Sequence, residues 1–177
     1  TEPTSSFYGK YNKMIAVNGL SKAYGLPGLR IGWIVAPINL IKELWKRHEY
    51  TTVSSSMLGN KLGEMALRPD VRRQLLGRTR KLVVQGFDVL QKILNEYPDV
   101  YSVVPPGASA LSFVRYNLPI NSTELIHKFR EEKNILIVPG DCFNFDHHLR
   151  ISSALPKEYL HEGLSRMNDV IGKLLSQ

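Results

Sequence analysis

Apolar and polar positions are not distributed evenly along the chain. Short apolar runs bounded by Gly or Pro alternate with longer stretches in which apolar residues recur every three or four positions, the pattern of strands interleaved with amphipathic helices. The runs "KMIAV" (13–17) and "RIGWIVA" (30–36) predict two buried strands flanking a glycine-rich segment. After Pro37, Ile38, Ile41, Leu44 and Trp45 fall on one helical stripe, with the proline at the entry where its missing N–H costs least. A second helix is expected over 54–67, opened by serine caps. A long third one runs over 69–97, interrupted by Gly77 and Gly86 and stopped by Pro98.

Beyond Pro98 the elements become short and alternating. Strands are expected over 100–104, 110–116, 135–138 and 149–154, with helices over 122–133 and from Pro156 to Leu175. The loop "PGDCFNFDHH" separates the last two strands. This gives a mixed α/β chain in three parts: residues 1–68, a connecting helix over 69–98, and a compact α/β unit over 99–177. There is no internal repeat and no low-complexity tract.

Composition adds bounds. The 177 residues are 43% hydrophobic, enough for an ordinary folded core. A net charge of +7 and a pI near 9.5 permit a polyanionic partner, but the densest basic stretch, 68–81, falls on the predicted long helix and reads as a solvated face. Nucleic acid is therefore not an expected partner. Cys142 is the only cysteine, which excludes an intrachain disulfide and fits a reducing compartment. No apolar run approaches the roughly 20 residues a membrane span requires, and the first residues carry no signal-peptide core. A soluble cytoplasmic protein is expected.

The segment "NGLSKAYGLPGLRIGW" (18–33) carries the candidate chemistry. Gly19, Gly25, Gly28 and Gly32 surround Lys22, with Arg30 eight residues later, and so many glycines beside one lysine suggest a backbone shaped around a ligand. The run from Gly19 to Gly32 resembles, position by position, the lysine signature of the class I/II aminotransferases, pyridoxal phosphate enzymes of the aspartate aminotransferase fold type. The Pro-Gly loop of "ILIVPGDCF" and the arginine strand "LRISSA" extend the resemblance over nearly the whole chain. The match corresponds only to the C-terminal portion of a full member. The resemblance thus implies a large-domain remnant bearing the lysine, a long connecting helix and a small C-terminal domain.

It also implies roles. Lys22 takes the place of the amine that holds pyridoxal 5'-phosphate as a Schiff base and afterwards shuttles the substrate Cα proton; lysine alone supplies a primary amine. Arg30 takes the place of the phosphate ligand, for which a planar guanidinium is well shaped, an ordinary ion pair being the alternative. Arg150 takes the place of the arginine that binds the substrate α-carboxylate; otherwise it would pair with Asp141 or Asp146. The implied activity is amino-group transfer from an α-amino acid to a 2-oxo acid by a homodimer. A lyase or cyclising synthase of the same fold, and a non-catalytic sensing module, are the alternatives.

The sequence departs from the pattern in two places. Gly19 stands where members commonly carry a phosphate-binding Ser or Thr. The first aspartate is Asp70, so the upstream carboxylate that pairs with the cofactor's pyridine nitrogen is missing, together with the other pocket residues that precede the lysine. A chain lacking its N-terminal half is the expectation.

Three further features carry less. Asp146, His147 and His148 are adjacent, so on an extended segment they point to opposite faces and make a poor metal-ligand set. Cys142 is expected to be a buried loop thiol. The stretch 51–58 serves as a helix N-cap and, by resemblance, as a loop directed to a partner subunit's active site.

Overall fold

Beta pairing and helix packing organise the protein into two units, one ending at Thr79 and the other starting at Arg80. The structure is a computed structural model that describes residues 5–176. Residues 1–4 of the first predicted part and residue 177 of the last lie outside the described residues.

In the first unit, β1 (Ala16–Gly19) and β2 (Gly32–Val35) form an antiparallel pair in which Gly19 lies opposite Gly32 and Ala16 opposite Val35. Both strands are displaced from the apolar runs that predicted them. The Met14 N–H donates to the Tyr11 carbonyl at 3.1 Å and closes a turn, so extended pairing starts only at Ala16. Arg30 has a φ of 54°, in the left-handed region, which keeps it out of the ladder and delays β2 to Gly32. Two helices follow, α1 (Ile38–Thr52) and α2 (Met57–Leu67). The predicted stripe on α1 forms but buries nothing: Ile38 and Trp45 are 66% and 64% exposed. Helix α2 begins on Ser56, whose hydroxyl accepts the Gly59 N–H at 3.0 Å, the serine cap the sequence predicts.

Helix α3 (Pro69–Leu94) is continuous through both Gly77 and Gly86, neither of which interrupts it. Gly77 has open space around it. Gly86 is buried, and its bare Cα lets the helix backbone lie directly against the Ser153 carbonyl. The glycine is there for close approach.

The second unit holds a four-stranded antiparallel sheet in the order β3 (Tyr101–Val103), β4 (Leu111–Tyr116), β6 (His148–Ser152), β5 (Val138–Pro139). Residues alternate across it, so Val114, Tyr116, Leu149 and Ile151 face a core completed by α4 (Ser122–Lys133), α5 (Lys157–Leu175) and the C-terminal part of α3. Strand β5 is shorter than its apolar run predicts. Asn134 takes the left-handed conformation to cap α4, and the Ile135 N–H turns back to the Phe129 carbonyl at 3.2 Å, leaving only Val138 and Pro139 to pair with β6. Just beyond β6, the Ser153 N–H donates to the Ala110 carbonyl at 2.7 Å, in register with the Leu111–Ser152 pair.

Candidate active site

The β1–β2 connection, residues 20–31, carries Lys22 and Arg30 together on one short loop. Its ends are pinned where the Leu20 N–H donates to the Ile31 carbonyl at 3.0 Å. Within it, the Leu26 N–H reaches the Leu20 carbonyl and the Gly25 N–H reaches the Lys22 carbonyl, both at 2.9 Å, so Lys22 opens a tight turn closed by Gly25 at φ +64°. Leu20 and Tyr24 are buried on either side of it, while Lys22 itself is exposed. The loop is anchored by its neighbours and presents its amine outward.

Arg30 follows a short 3-10 turn, Pro27–Leu29. Its Nη1 donates to the Pro27 carbonyl at 3.0 Å, fixing one arm of the guanidinium. Among the described residues no carboxylate lies within ion-pair distance of Arg30 or of Lys22. The ion-pair alternative for Arg30 is therefore not what the structure shows. A left-handed backbone at a non-glycine residue is sparsely populated and recurs at ligand sites. An amine for an aldehyde and a guanidinium for a phosphate, both without a protein counter-charge, are a donor set that fits pyridoxal phosphate.

Helix α2 supports this loop from below. Gly59, Gly63 and Ala66 are its buried residues, spaced at helical intervals on one side. A Cβ on Gly59 would stand 2.7 Å from the Leu29 carbonyl oxygen, and one on Gly63 would touch Leu20 at 3.3 Å. Small residues there set how near the lysine loop lies to the helix.

The basic stretch 68–81 is not simply a solvated face. Arg78 Nη2 donates to the Tyr24 carbonyl at 3.0 Å and Arg72 Nε donates to the Tyr24 hydroxyl at 3.2 Å. Periodicity gave no hint of this, because both arginines sit at positions a surface helix would also use.

Arg150 belongs to the second unit. Leu149 and Ile151 point into the core, which turns Arg150 to the sheet's other face beside Phe113, its partner directly opposite on β4. Its guanidinium carbon lies 5.3 Å from the Phe143 ring centroid. Phe113 stacks on His148 at 4.7 Å and meets Phe143 and Phe145 edge-on near 6 Å. The loop aromatics were not singled out by sequence; the signal was the spacing of Phe143 and Phe145 just ahead of the arginine strand. Neither expected acid pairs with Arg150. Asp141 accepts from Thr123 Oγ1 at 2.7 Å, and Asp146 accepts the Ser122 and His147 N–H groups at 2.7 and 2.6 Å, which lowers its pKa below the usual carboxylate value. Among the described residues Arg150 has no ion-pair partner; it lies on an aromatic bed, facing away from the core.

Cys142 is exposed, contrary to the buried thiol expected, because it sits in the short 3-10 turn Gly140–Phe143 outside the sheet. Val53, between α1 and α2, is 80% exposed with a φ of 60°, an outlier for a β-branched residue. No helix among the described residues is long and apolar enough to cross a membrane.

The chain resembles known proteins over most of its length. The chain is 31% identical to an aspartate aminotransferase of Streptomyces avermitilis over 173 residues, which are 94% of this chain and 41% of that protein. It is 29% identical to a capreomycidine synthase of Streptomyces vinaceus, covering 91% of this chain and 41% of the relative. Among solved structures, a PLP-dependent aminotransferase from Streptococcus suis superposes with a TM-score of 0.85 at 29% identity, over 93% of this chain and 43% of its own. An aromatic aminotransferase from Pyrococcus horikoshii gives 0.81 at 27% identity, over 93% and 44%. The chain thus spans well under half the length of the relatives it matches. Residues 2–167 match the family described as aminotransferase class I and II, and the chain belongs to that family.

Proposed function

We propose that this chain supplies the cofactor-attaching lysine and the carboxylate-binding arginine of a pyridoxal phosphate-dependent aminotransferase, which moves an amino group from an α-amino acid to a 2-oxo acid. The observation that carries this reading is the presence of Lys22 and Arg30 on one pinned loop, neither with a carboxylate counter-charge among the described residues.

Pyridoxal phosphate, when bound, supplies the electron sink that makes the substrate Cα–H acidic. Lys22 Nζ would hold the cofactor's aldehyde, and the same amine, when free, would be the base that accepts the substrate Cα proton and gives it up again. The outward presentation of that amine by the Lys22–Gly25 turn serves both tasks. Arg30, with one guanidinium arm held by the Pro27 carbonyl, would hold the phosphate. Arg150 grips the α-carboxylate with two parallel hydrogen bonds, its planar face supported by Phe143. A gripped carboxylate stays on the substrate, which disfavours decarboxylation.

The same reading implies a cytoplasmic enzyme working as a homodimer. Exposed Tyr50, Val53, Met57 and Leu58 support the second point, as they form an apolar, backbone-strained corner between α1 and α2 that a subunit contact would cover. A synthase reaction on the same cofactor is the second reading, favoured by the likeness to capreomycidine synthase.

The test is to add pyridoxal phosphate, reduce with borohydride and map the adduct by peptide mass spectrometry, with Lys22→Ala as control. A stoichiometric adduct on Lys22 alone is expected. Scattered labelling over surface lysines would overturn the assignment.

A further inference from the structure

We infer that Arg78 is a positioning residue for Lys22: its guanidinium clamps the turn that follows the lysine through the Tyr24 carbonyl, and so fixes where the amine is presented. This rests on the role given to Lys22 above, but its geometry stands independently.

The turn has one backbone hydrogen bond across it, from the Gly25 N–H to the Lys22 carbonyl. The Tyr24 carbonyl, just before Gly25, accepts from no backbone N–H among the described residues. Arg78 Nη2 takes it at 3.0 Å. A hydrogen bond from a charged donor is about twice as strong as a neutral one. The donor stands on α3, a helix of 26 residues, so the loop is tied to a rigid element far from it in sequence.

Gly25 is shaped to this contact. A Cβ there would stand 2.8 Å from Arg78 Nη2 and 3.5 Å from Thr79 Oγ1, so any larger residue displaces the guanidinium. Its φ of +64° disfavours a side chain for a second reason. Arg72 holds the same residue at its other end, through the Tyr24 hydroxyl, while the ring is buried edge-on to Trp33 at 6.5 Å. Tyr24 is gripped at both its backbone and its side chain, two residues from the lysine.

Hydrogen exchange on the whole chain tests this without cofactor. Arg78→Ala is expected to raise exchange of the amides in residues 20–30 by about tenfold, the scale set by losing a charge-assisted bond, with the second unit unaffected. Arg78→Lys, which keeps the charge and the helix, restores part of the protection. Tyr24→Phe removes the Arg72 bond but keeps the carbonyl, and leaves the loop within a few-fold of wild type. In parallel, Arg78→Ala is expected to lower the fraction of Lys22 trapped by borohydride at limiting pyridoxal phosphate. Unchanged exchange at residues 20–30 in Arg78→Ala, or loosening spread evenly through the chain, would overturn the clamp. If wild-type Lys22 is not trapped at all, the aminotransferase reading falls while the exchange result still decides the clamp.

Discussion

The Arg150 guanidinium carbon lies 5.3 Å from the centre of the Phe143 ring, and Phe113 stands directly across the sheet from it. An arginine on an aromatic surface keeps its plane fixed while leaving its edge donors free. Arg150→Ala is accordingly expected to weaken amino acid binding by about 10–100-fold, the loss of a charged bidentate contact, while cofactor attachment at Lys22 is spared. Titration of the cofactor-loaded protein with amino acid measures it. Loss of binding and attachment together would remove Arg150 from its assigned role.

Phe143→Ala tests the aromatic bed apart from the charge. A cation over an exposed ring contributes about 0.5–1 kcal/mol, so a two- to five-fold weakening of amino acid binding is expected. Phe143→Tyr should restore it, since the ring face survives. An effect as large as that of Arg150→Ala would mean that Phe143 supports the fold of the 140–145 loop and not merely the guanidinium plane.

In the lysine unit, Gly59→Ala places a methyl 2.7 Å from the Leu29 carbonyl oxygen. Backbone cannot yield as a flexible side chain does, so α2 or the loop must shift. A loss of about 1–3 kcal/mol is expected from such overpacking, with less Lys22 trapped by borohydride at equal protein. Thermal unfolding and adduct mapping on the same sample check both halves. Full stability with full labelling would show that the helix does not set the height of the loop.

Gly86→Ala asks the same of the second unit. Its Cβ would collide with the Ser153 carbonyl, which lies at the end of the strand bearing Arg150. Destabilisation of about 1–3 kcal/mol or more is expected, seen as a lowered midpoint in urea. In the sequence this glycine looked like a helix breaker.

That misreading shows where sequence stops. Apolar periodicity, caps and prolines located the five α-helices among the described residues, including α1, whose stripe buries nothing, but not the two short 3-10 turns. Lys22, Arg30 and Arg150 were singled out by resemblance to the family's motifs, which are local signals, and their roles stand as proposals. Gly86 and Gly59 were not, since a glycine's reason for being in a helix is what packs against it, and that partner is distant in the chain. Strand ends failed for a related cause: Arg30 and Asn134 take left-handed conformations that hydrophobicity does not encode. Arg78 was hidden by its own type, as a basic residue on a helix is usually solvated. Only the Tyr24 carbonyl in front of it gives it a task.

Asp146 gives a prediction in pH. Its carboxylate accepts the N–H of Ser122, the first residue of α4, and that of His147, and these bonds lower its pKa from 3.8. A carboxyl whose folded pKa is depressed stabilises the fold above its unfolded value, and that contribution fades as pH falls through the folded one. The negative charge near the α4 N-terminus acts in the same direction. Asp146→Asn keeps an acceptor oxygen but not the charge. The variant should therefore melt below wild type at neutral pH, and the gap should close as pH drops beneath 3.8, where wild type also loses its charge. Melting temperatures taken from pH 7 down to acid follow the gap directly. A difference that stays constant with pH would mean that the asparagine disturbs the Ser122 contact by shape, and that the ionised carboxylate contributes nothing to holding the start of α4.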